Sequence, residues 1–240
     1  MISIVTGTLN RLPFLPGLIK NCLASPLTEL ILVDGGSSDG TQAYLKGLNH
    51  PRMKLVEMGH RSSWSSFMNI GIEASTHEVV CQWNDDVLLL PSWEEVAREM
   101  DEAHDIYIFS WKTGTVEQST DPAWLALGEF KDGLSDNGWR CNGRLVNYGL
   151  YRKSVFRKAG LYHEGYRFYH ADSDMTERAI HSGFADRIKV LPNMKVLDIK
   201  CDHKVKHGLN ATEREDIDLF YIMLSRYKTG GGPKEIRRLA

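Results

Sequence analysis

The segment Val80-Cys81-Gln82-Trp83-Asn84-Asp85-Asp86-Val87 decides how the rest of the chain is interpreted. Residues 78–83 are a short run rich in β-branched and aromatic side chains, which predicts a buried strand. Two adjacent carboxylates, Asp85 and Asp86, follow it directly. Open α/β sheets bind ligands beyond the carboxyl ends of their strands, and a divalent cation such as Mg²⁺ or Mn²⁺ often offsets paired carboxylates. The alternative is a polar turn in which Asn84 and Asp85 cap the next helix.

Length, charge and cysteine content restrict the classes to which the chain can belong. Its 240 residues can bury a sizeable core in one domain. With 29 basic and 31 acidic residues, it has no general basic surface for nucleic acid. No apolar run reaches transmembrane length, and residues 2–9 are too short for a secretory signal. Isolated thiols indicate a reducing, cytoplasmic compartment. The four cysteines are Cys22, Cys81, Cys141 and Cys201.

Strand and helix patterns alternate through the first half of the chain. This alternation predicts a parallel sheet with right-handed crossover helices. The nearly all-apolar run 29–34 is typical of a buried parallel strand. The predicted strands are 2–6, 29–34, 53–58, 78–83 and 106–111. The predicted helices are a segment ending at Leu23, 40–48, 65–74 and 93–103.

The pattern changes after residue 112. Residues 113–147 mix Gly, Asp and Ser with Pro and Trp, which predicts long loops of the kind that often carry function. Regular structure then returns up to the glycine-rich tail, which we expect to be flexible. The predicted elements are a helix from Ser154 to Gly160, a helix over 172–181, a strand near 189–191 or 195–199, and an amphipathic helix over 212–227. We predict a single domain, 1–240, with a flexible tail over 229–240.

Five separated segments share their motifs, and the order of those motifs, with one known family. They are 2–11 (similar to a first strand and P-T-[YF]-N-R loop), 32–41 (V-D-D-G-S-T-D-G-T), 69–74 (N-x-G-x-x-x-A), 83–86 (D-x-D), and 151–175 (R-x-x-x-F-x-x-x-G-x-F-D, then E-D-x-D-[LM]). Over residues 2–185 the chain resembles the glycosyltransferase family 2 enzymes of GT-A fold. Its departures are Gly7 and Leu9 for the usual proline and aromatic, Gly35 for the second acid, Asn84 for the first acid of D-x-D, and Ala171 for the glutamate of E-D.

The resemblance implies an α/β fold of GT-A type, a Rossmann-like open, mostly parallel sheet flanked by helices, with an irregular acceptor-side C-terminal half. It implies a nucleotide-sugar-binding half over 1–112 and an acceptor-binding half over 113–228. The implied activity is metal-dependent, inverting transfer of a hexosyl or related sugar from a nucleoside-diphosphate sugar, UDP favoured, to a hydroxyl acceptor. The acceptor would be a glycan, a lipid-linked saccharide or another hydroxyl compound, in glycan or polysaccharide synthesis. We expect no nucleic-acid partner and no membrane span, and leave peripheral membrane contact open.

The donor site implied by the resemblance lies at the ends of the first two strands. Asp34 would accept hydrogen bonds from a nucleobase imide, unless it is only a turn-forming aspartate. Gly36 and Ser37 offer backbone and hydroxyl groups beside a helix N-terminus, which suits an anionic ligand. For Asp39 we favour a role as helix N-cap over a contact with the ligand. The other donor-binding candidates are Thr8, Asn10, Arg11, Asn69, Asn84 and Asp85, with an exposed structural role as the alternative for Arg11.

The resemblance also implies the metal ligands. The last acid of D-x-D would bind Mn²⁺ or Mg²⁺ against the diphosphate, and we favour Asp86 with Asp85 as the close second. A histidine after the last core strand often adds a ligand in GT-A enzymes. His203 is the first candidate and His207 the second, with an exposed histidine as the alternative for each.

The E-D motif places the catalytic base at a helix N-terminus. It corresponds to Asp172, with Asp174 as a partner or substitute because Ala171 lacks the first acid. The alternative is that Asp172 simply caps the helix. Aromatic residues near this segment could stack on an acceptor sugar or could form a satellite core. They are Trp111, Trp124, Trp139, Tyr148, Tyr166, Phe168 and Tyr169.

Two rival functions come from other classes. A dinucleotide-dependent oxidoreductase would share the fold class, but the loop after the first strand has one glycine, Gly7, and no G-x-G-x-x-G. A non-catalytic nucleotide-sugar or glycan-binding module of the same family stays open, because Gly35, Ala171 and the altered D-x-D depart from the catalytic motifs.

Overall fold

An eight-stranded mixed sheet organises the protein. The computed structural model describes residues 1–127, 130, 146–167, 169–199, 209–231 and 236–240. The strands are β1 (Ile2–Thr8), β2 (Thr28–Asp34), β3 (Met53–Glu57), β4 (Val79–Gln82), β5 (Val87–Leu89), β6 (Ile106–Gly114), β7 (Gly149–Arg152) and β8 (Ile188–Ile199). The helices are α1 (Leu15–Cys22), α2 (Thr41–Gly47), α3 (Trp64–Ala74), α4 (Trp93–Glu99), α5 (Pro122–Ala126), α6 (Lys153–Ala159), α7 (Ala171–Ala179) and α8 (Leu209–Lys228). The sheet order is β3-β2-β1-β4-β7-β6-β8-β5.

The first half of the chain forms the parallel part of the sheet. β1 pairs in parallel with both β2 and β4, and β2 pairs in parallel with β3. β1 and β2 are buried on both faces because helices cover both sides of the sheet. The predicted α/β class and the mostly parallel sheet are confirmed.

The second half closes the sheet with strands of mixed direction. β7 runs antiparallel to both β4 and β6, whereas β8 pairs in parallel with β6 and antiparallel with β5. β8 contains both segments that the sequence offered as alternatives for one strand. Its register against β6 shifts between Phe109 and Ser110, so an irregularity separates the two apolar segments within one continuous strand.

The segment after the two acids differs from the predicted turn. β5 follows Asp86 at once, and α4 begins only at Trp93. Ser92 caps α4, since its side chain accepts a hydrogen bond from Glu95 N while the Glu95 side chain accepts one from Ser92 N. The alternative in which Asn84 and Asp85 cap this helix is therefore wrong. Met100 is extended, which ends α4 before the predicted position 103.

Two hydrophobic clusters cover the two faces of the sheet. The first centres on Trp83, whose ring meets those of Trp93, Phe109 and Tyr148 edge to face. It also contains the thiols of two fully buried cysteines, Cys22 and Cys81. The second lies under α3, α6, α7 and α8. Burial of both faces explains why the strands read as apolar runs in the sequence.

The loop-rich middle and the tail contain more structure than the sequence indicated. Within 113–147, a 3₁₀ turn covers Glu117–Thr120 and α5 follows it, while most of 128–145 lies outside the described residues. Arg237 in the tail contacts the body of the protein, since Leu161 N donates to Arg237 O at 2.8 Å and Arg237 pairs with Glu73 at 2.7 Å. The flexibility of residues 229–240 stays a prediction. No helix among the described segments has the length and apolar character needed to cross a bilayer.

Gly71 lets α3 lie directly against β1. A Cβ atom built on Gly71 would lie 2.2 Å from Cγ1 of Val5, closer than two non-bonded carbon atoms can approach. Gly17, in the exposed part of α1, has nothing within 4 Å of the same built atom. The two helical glycines therefore provide a matched pair for testing this contact.

We expect Gly71→Ala and Gly17→Ala to change stability in opposite directions. Replacing a helical glycine by alanine normally stabilises by about 0.5–1 kcal/mol, and Gly17→Ala should gain that amount. Gly71→Ala should instead lower the free energy of unfolding by about 1–3 kcal/mol, because the added methyl overpacks the α3–β1 contact. Urea unfolding of both variants measures the difference, and a stabilised Gly71→Ala protein would contradict the close packing.

Candidate active site

The carboxyl ends of β1, β2 and β4 meet at one edge of the sheet. Gly35 N donates to Thr8 O at 3.0 Å, and Trp83 N donates to Val5 O at 3.0 Å. The segments that leave these three strands are therefore held side by side. This edge is the position at which open α/β sheets bind ligands.

Asp34 organises the turn after β2. Its side chain is fully buried and accepts hydrogen bonds from Gly36 N at 3.0 Å, from Ser37 N at 3.1 Å and from Gln42 Nε2 at 2.8 Å. The Ser37 hydroxyl donates to it as well. The geometry thus favours the turn-forming alternative for Asp34 over a direct hydrogen bond to a nucleobase. Gly36 supplies the left-handed backbone that this turn requires, with φ of 83°.

The loop after β1 is tied to that turn through Asn10. This residue has a positive φ of 56°, and its Oδ1 accepts a hydrogen bond from Ser38 N at 2.7 Å. Its own N donates to Ser37 Oγ at 2.9 Å. Asp39 extends the connection, accepting from Leu12 N at 3.3 Å and from Thr41 N at 3.0 Å. Gly40 takes the N-cap position predicted for Asp39, which lies one residue before it.

The two adjacent acids lie against residues of the first loop. Thr8 Oγ1 donates to Asp85 at 2.8 Å. The Arg11 guanidinium lies 3.7 Å from Asp85 and 3.5 Å from Asp86, and these side chains are largely buried. Burial, followed by repulsion from Asp86, raises the pKa of Asp85 to about 7. The pair therefore has a strong demand for positive charge, which Arg11 meets in part.

The donor chemistry of this pair fits a hard divalent cation. Mg²⁺ and Mn²⁺ prefer carboxylate oxygens, and the two acids are held at one strand end. Within the part of the chain that the structure describes, no group of three His, Cys, Asp or Glu side chains converges to complete a metal site. The predicted third ligand, His203, and its alternative His207 lie outside the described residues.

Two predicted donor contacts are engaged inside the protein. Asn84 Oδ1 accepts a hydrogen bond from Trp64 Nε1 at 3.0 Å. Asn69 is buried and clamps α3 to the backbone of Tyr162, accepting from its N at 2.8 Å and donating to its O at 2.9 Å. It also donates to Glu164 at 3.0 Å. The donor-binding interpretation of Asn69 is therefore replaced by a structural role, because both ends of its amide have internal partners.

Asp174 is a structural centre rather than a catalytic partner. It is fully buried, and one of its oxygens accepts hydrogen bonds from the hydroxyls of Tyr166 and Tyr227. The other accepts from Arg178 Nη2 at 3.1 Å, an ion pair one helical turn apart. These bonds join α7 to α8. Arg178 Nε also donates to Asp174 at 3.3 Å. We therefore correct the catalytic interpretation of Asp174, because burial and four donors leave it no approach to an acceptor.

Asp172 lies in the first turn of α7 and is only half-buried. Its Oδ1 accepts a hydrogen bond from Ser173 N at 2.8 Å, but the N-cap of the helix is His170, which has a positive φ of 61°. Asp172 is thus not the helix cap that the alternative required. Burial raises the pKa of its carboxyl above the ordinary value, and that direction favours proton uptake near neutral pH.

Tyr148 precedes β7 and packs its ring on that of Trp83, which follows β4. It is buried, and its pKa is raised by burial and then by the negative charges of Asp198, Asp86 and Asp172. Three carboxylates from separate parts of the sequence therefore act on one phenol. Asp198 faces Val87 across the β5–β8 pair, and Ile199 N donates to Asp86 O at 2.8 Å. Sequence reasoning missed Asp198, and the only available signal was its place near the end of an apolar strand.

The acceptor-stacking candidates divide by burial. Tyr148 and Tyr166 are buried, so the satellite-core alternative holds for both. Trp111, Trp124 and Tyr169 are partly exposed and keep a stacking role as a prediction. Trp139 and Phe168 lie outside the described residues.

Comparison with protein families identifies the chain. A family model described as glycosyl transferase family 2 matches residues 3–160. The chain belongs to this family. The match to family 2 covers every element from β1 to α6 and therefore includes the whole strand edge described above. No curated protein sequence matches the chain.

Solved structures show the same fold at low sequence identity. The mannosyltransferase PcManGT from Pyrobaculum calidifontis, solved with GDP-Man and Mn²⁺, has a TM-score of 0.65 at 15% identity, with 94% of this chain and 64% of that chain covered. S. aureus TarS 1–349 has a TM-score of 0.67 at 15% identity, with 92% and 64% covered. Its complex with UDP-GlcNAc gives 0.64 at 14% identity, with 98% and 74% covered. The family 2 chain described here thus spans just under two thirds of PcManGT and of TarS 1–349 in the first two comparisons.

We expect Asp174→Asn and Asp172→Asn to differ sharply in stability. Removing the charge of Asp174 leaves Arg178 buried without its partner, so the free energy of unfolding should fall by about 3–5 kcal/mol. Asp172 is held at a raised pKa, which means that the fold disfavours its ionised form, and Asp172→Asn should leave stability unchanged or slightly higher at pH 7. Chemical denaturation of both variants measures this, and equal losses would contradict the assignment.

Proposed function

We propose that the protein is an inverting, metal-dependent glycosyltransferase that moves a hexosyl or related sugar from a nucleoside-diphosphate sugar to a hydroxyl acceptor. The observation that supports this most strongly is that α7, which carries Asp172, is tied to the strand end that carries Asp86: Val146 N donates to Thr176 Oγ1 at 3.1 Å, and the ring of Tyr148, two residues later, packs on Trp83. One acid follows the strand end suited to a nucleotide, and the other lies on a helix bonded to the neighbouring segment. This arrangement suits a donor and an acceptor meeting between them.

The donor is expected to bind along the ends of β1 and β2. The solved complexes of PcManGT with GDP-Man and of TarS with UDP and UDP-GlcNAc support a nucleotide sugar as the ligand class. The turn of Gly36 and Ser37, whose N–H groups donate to Asp34, and the loop held by Asn10 would border it. UDP is the nucleotide that we favour. We retain residues 1–112 as the nucleotide-sugar half and 113–228 as the acceptor half.

Asp86 and Asp85 would hold the cation, and Mn²⁺ in the PcManGT complex supports a divalent ion of this type. When bound, the ion neutralises the charge that develops on the departing nucleoside diphosphate. Thr8 would orient Asp85 for this purpose through its hydrogen bond of 2.8 Å. Arg11, whose guanidinium lies 3.5 Å from Asp86, would pair with a phosphate oxygen of the bound donor.

Asp172 would act as the general base. The acceptor hydroxyl would attack the sugar carbon from the side opposite the departing nucleoside diphosphate, which inverts the configuration. Asp172 would take up the proton that the hydroxyl loses in this step. Its raised pKa makes it a stronger base than an exposed aspartate. We place this reaction in glycan or polysaccharide synthesis in the cytoplasm, with a glycan or lipid-linked saccharide as acceptor.

A non-catalytic binding module is the second candidate. It is favoured by Ala171 and Gly35, which remove two acids of the family motifs, and by Arg11, which already pairs with the acids that would bind metal. Slow metal-dependent hydrolysis of nucleotide sugars separates the two candidates, because a transferase hydrolyses its donor slowly without an acceptor and a binding module does not.

Nucleoside diphosphate binding should depend on the acid pair. We expect Asp86→Ala to weaken UDP binding by about tenfold or more, and a chelator should have the same effect on the parent protein. Asn84→Ala, two positions before Asp86, should change affinity less, because the Asn84 side chain already accepts a hydrogen bond from Trp64. Calorimetric titration with and without Mn²⁺ measures this, and equal UDP affinity under both conditions would remove the metal role.

Transfer should depend on Asp172 without a matching loss of donor affinity. Asp172→Asn should reduce the transfer rate by about 10² or more, because the amide cannot take up the acceptor proton. In the parent, transfer should rise with pH through the raised pKa of Asp172, since the base works only when ionised. Rates and donor Kd values measured from pH 4 to 8 test both points. Parental transfer rates in Asp172→Asn would exclude this base.

A further inference from the structure

The aromatic ring of Phe67 fills the space between the ends of β1 and β2. A Cβ atom built on Gly7 would lie 2.6 Å from Cβ and Cδ2 of Phe67, at the base of the ring. A Cβ atom built on Gly35 would lie 2.7 Å from Cζ, at the tip of the same ring. One side chain therefore occupies the space that a substituent at either position would need. Phe67 is 8% exposed, so the ring is fixed by packing.

The position of the ring follows from the seating of α3. Gly71, one turn after Phe67, allows the helix to lie directly against Val5 of β1. Ser63 caps the other end of the helix by accepting a hydrogen bond from Ser66 N at 3.1 Å. Phe67 lies between these two fixed points. Its base cannot retreat from Gly7 without displacing α3, although its tip has more freedom beside Gly35.

The end of β2 consequently presents no available carboxylate to a ligand. Asp34 directs its oxygens into the turn, towards Gly36, Ser37 and Gln42. The next position, Gly35, has no side chain because Phe67 occupies that space. At the end of β2 a ligand meets the backbone of Gly35 beside the Phe67 ring.

We propose that Phe67 sets the nucleobase selectivity of the donor crevice by keeping a carboxylate away from the base. The inference rests on the proposed function. Uracil carries a hydrogen on N3 that a carboxylate would accept, whereas cytosine has a lone pair there that a carboxylate would repel. Without that carboxylate, the end of β2 has no charged group with which to distinguish the two bases. UDP and CDP therefore bind with nearly equal affinity, and UDP is favoured only over nucleotides of different shape.

The test compares UDP and CDP binding in four proteins: the parent, Phe67→Ala, Gly35→Asp, and the double variant Phe67→Ala/Gly35→Asp. Calorimetry with Mn²⁺ gives the Kd values, and thermal unfolding gives the stability of each protein. Gly35→Asp alone should be destabilised by contact with the ring. Adding Phe67→Ala should recover part of that loss, because the ring is what the new side chain meets. If the stability losses of Gly35→Asp and Phe67→Ala simply add in the double variant, the Phe67 ring does not contact the side chain at position 35 and the inference is wrong.

The binding data decide the selectivity. In the parent and in Phe67→Ala, the Kd values for UDP and CDP should agree within about threefold. In the double variant, UDP should bind about tenfold or more tightly than CDP, the usual worth of a hydrogen bond to a charged group. A parent that prefers UDP tenfold, or a folded double variant without that preference, would overturn the inference while leaving the proposed function intact. A parent that binds neither nucleotide would instead overturn the proposed function, and this inference with it.

Discussion

Two carboxylates buried side by side at the end of one strand are the constraint on which the site depends. Asp85 and Asp86 repel each other in a place where water screens them poorly, and positive charge must be brought to them. Arg11 and Thr8 approach from the first loop because β1 lies directly beside β4. The pairing of β1 with β4 thus brings in the groups that offset the repulsion between the two acids.

The same constraint explains how the surrounding loops are fixed. The loop that carries Arg11 is joined by Asn10 to the turn after β2, and Asp34 holds that turn from within. On the other side, the antiparallel β7 follows directly after Tyr148, which lies near Asp86 and Asp172. A change at one strand end is therefore transmitted to its neighbours through short hydrogen bonds rather than absorbed by a loose loop.

Local patterns in the sequence were sufficient for the central strands and for the position of the two acids after β4. Apolar runs such as 29–34 identify buried strands whatever packs on them, and the alternation of strands with helices predicts their parallel pairing. β5 and the irregularity in β8 could not be predicted, because both depend on pairing between distant segments. The structural roles of Asn69 and Asp174 were hidden for the same reason. Arg178, four residues after Asp174, was the one local sign of an ion pair.

The two buried cysteines give this fold an internal reporter. Cys22 on α1 and Cys81 on β4 lie in the same cluster with no exposed surface, and burial raises the pKa of both thiols above the ordinary value. A thiol of this kind reacts with alkylating agents only when the surrounding core opens. The rate of alkylation at Cys81, three residues before Asn84, measured by peptide mapping, would therefore report how often the sheet opens beside the acid pair. A ligand that closes the crevice would register as a slower reaction.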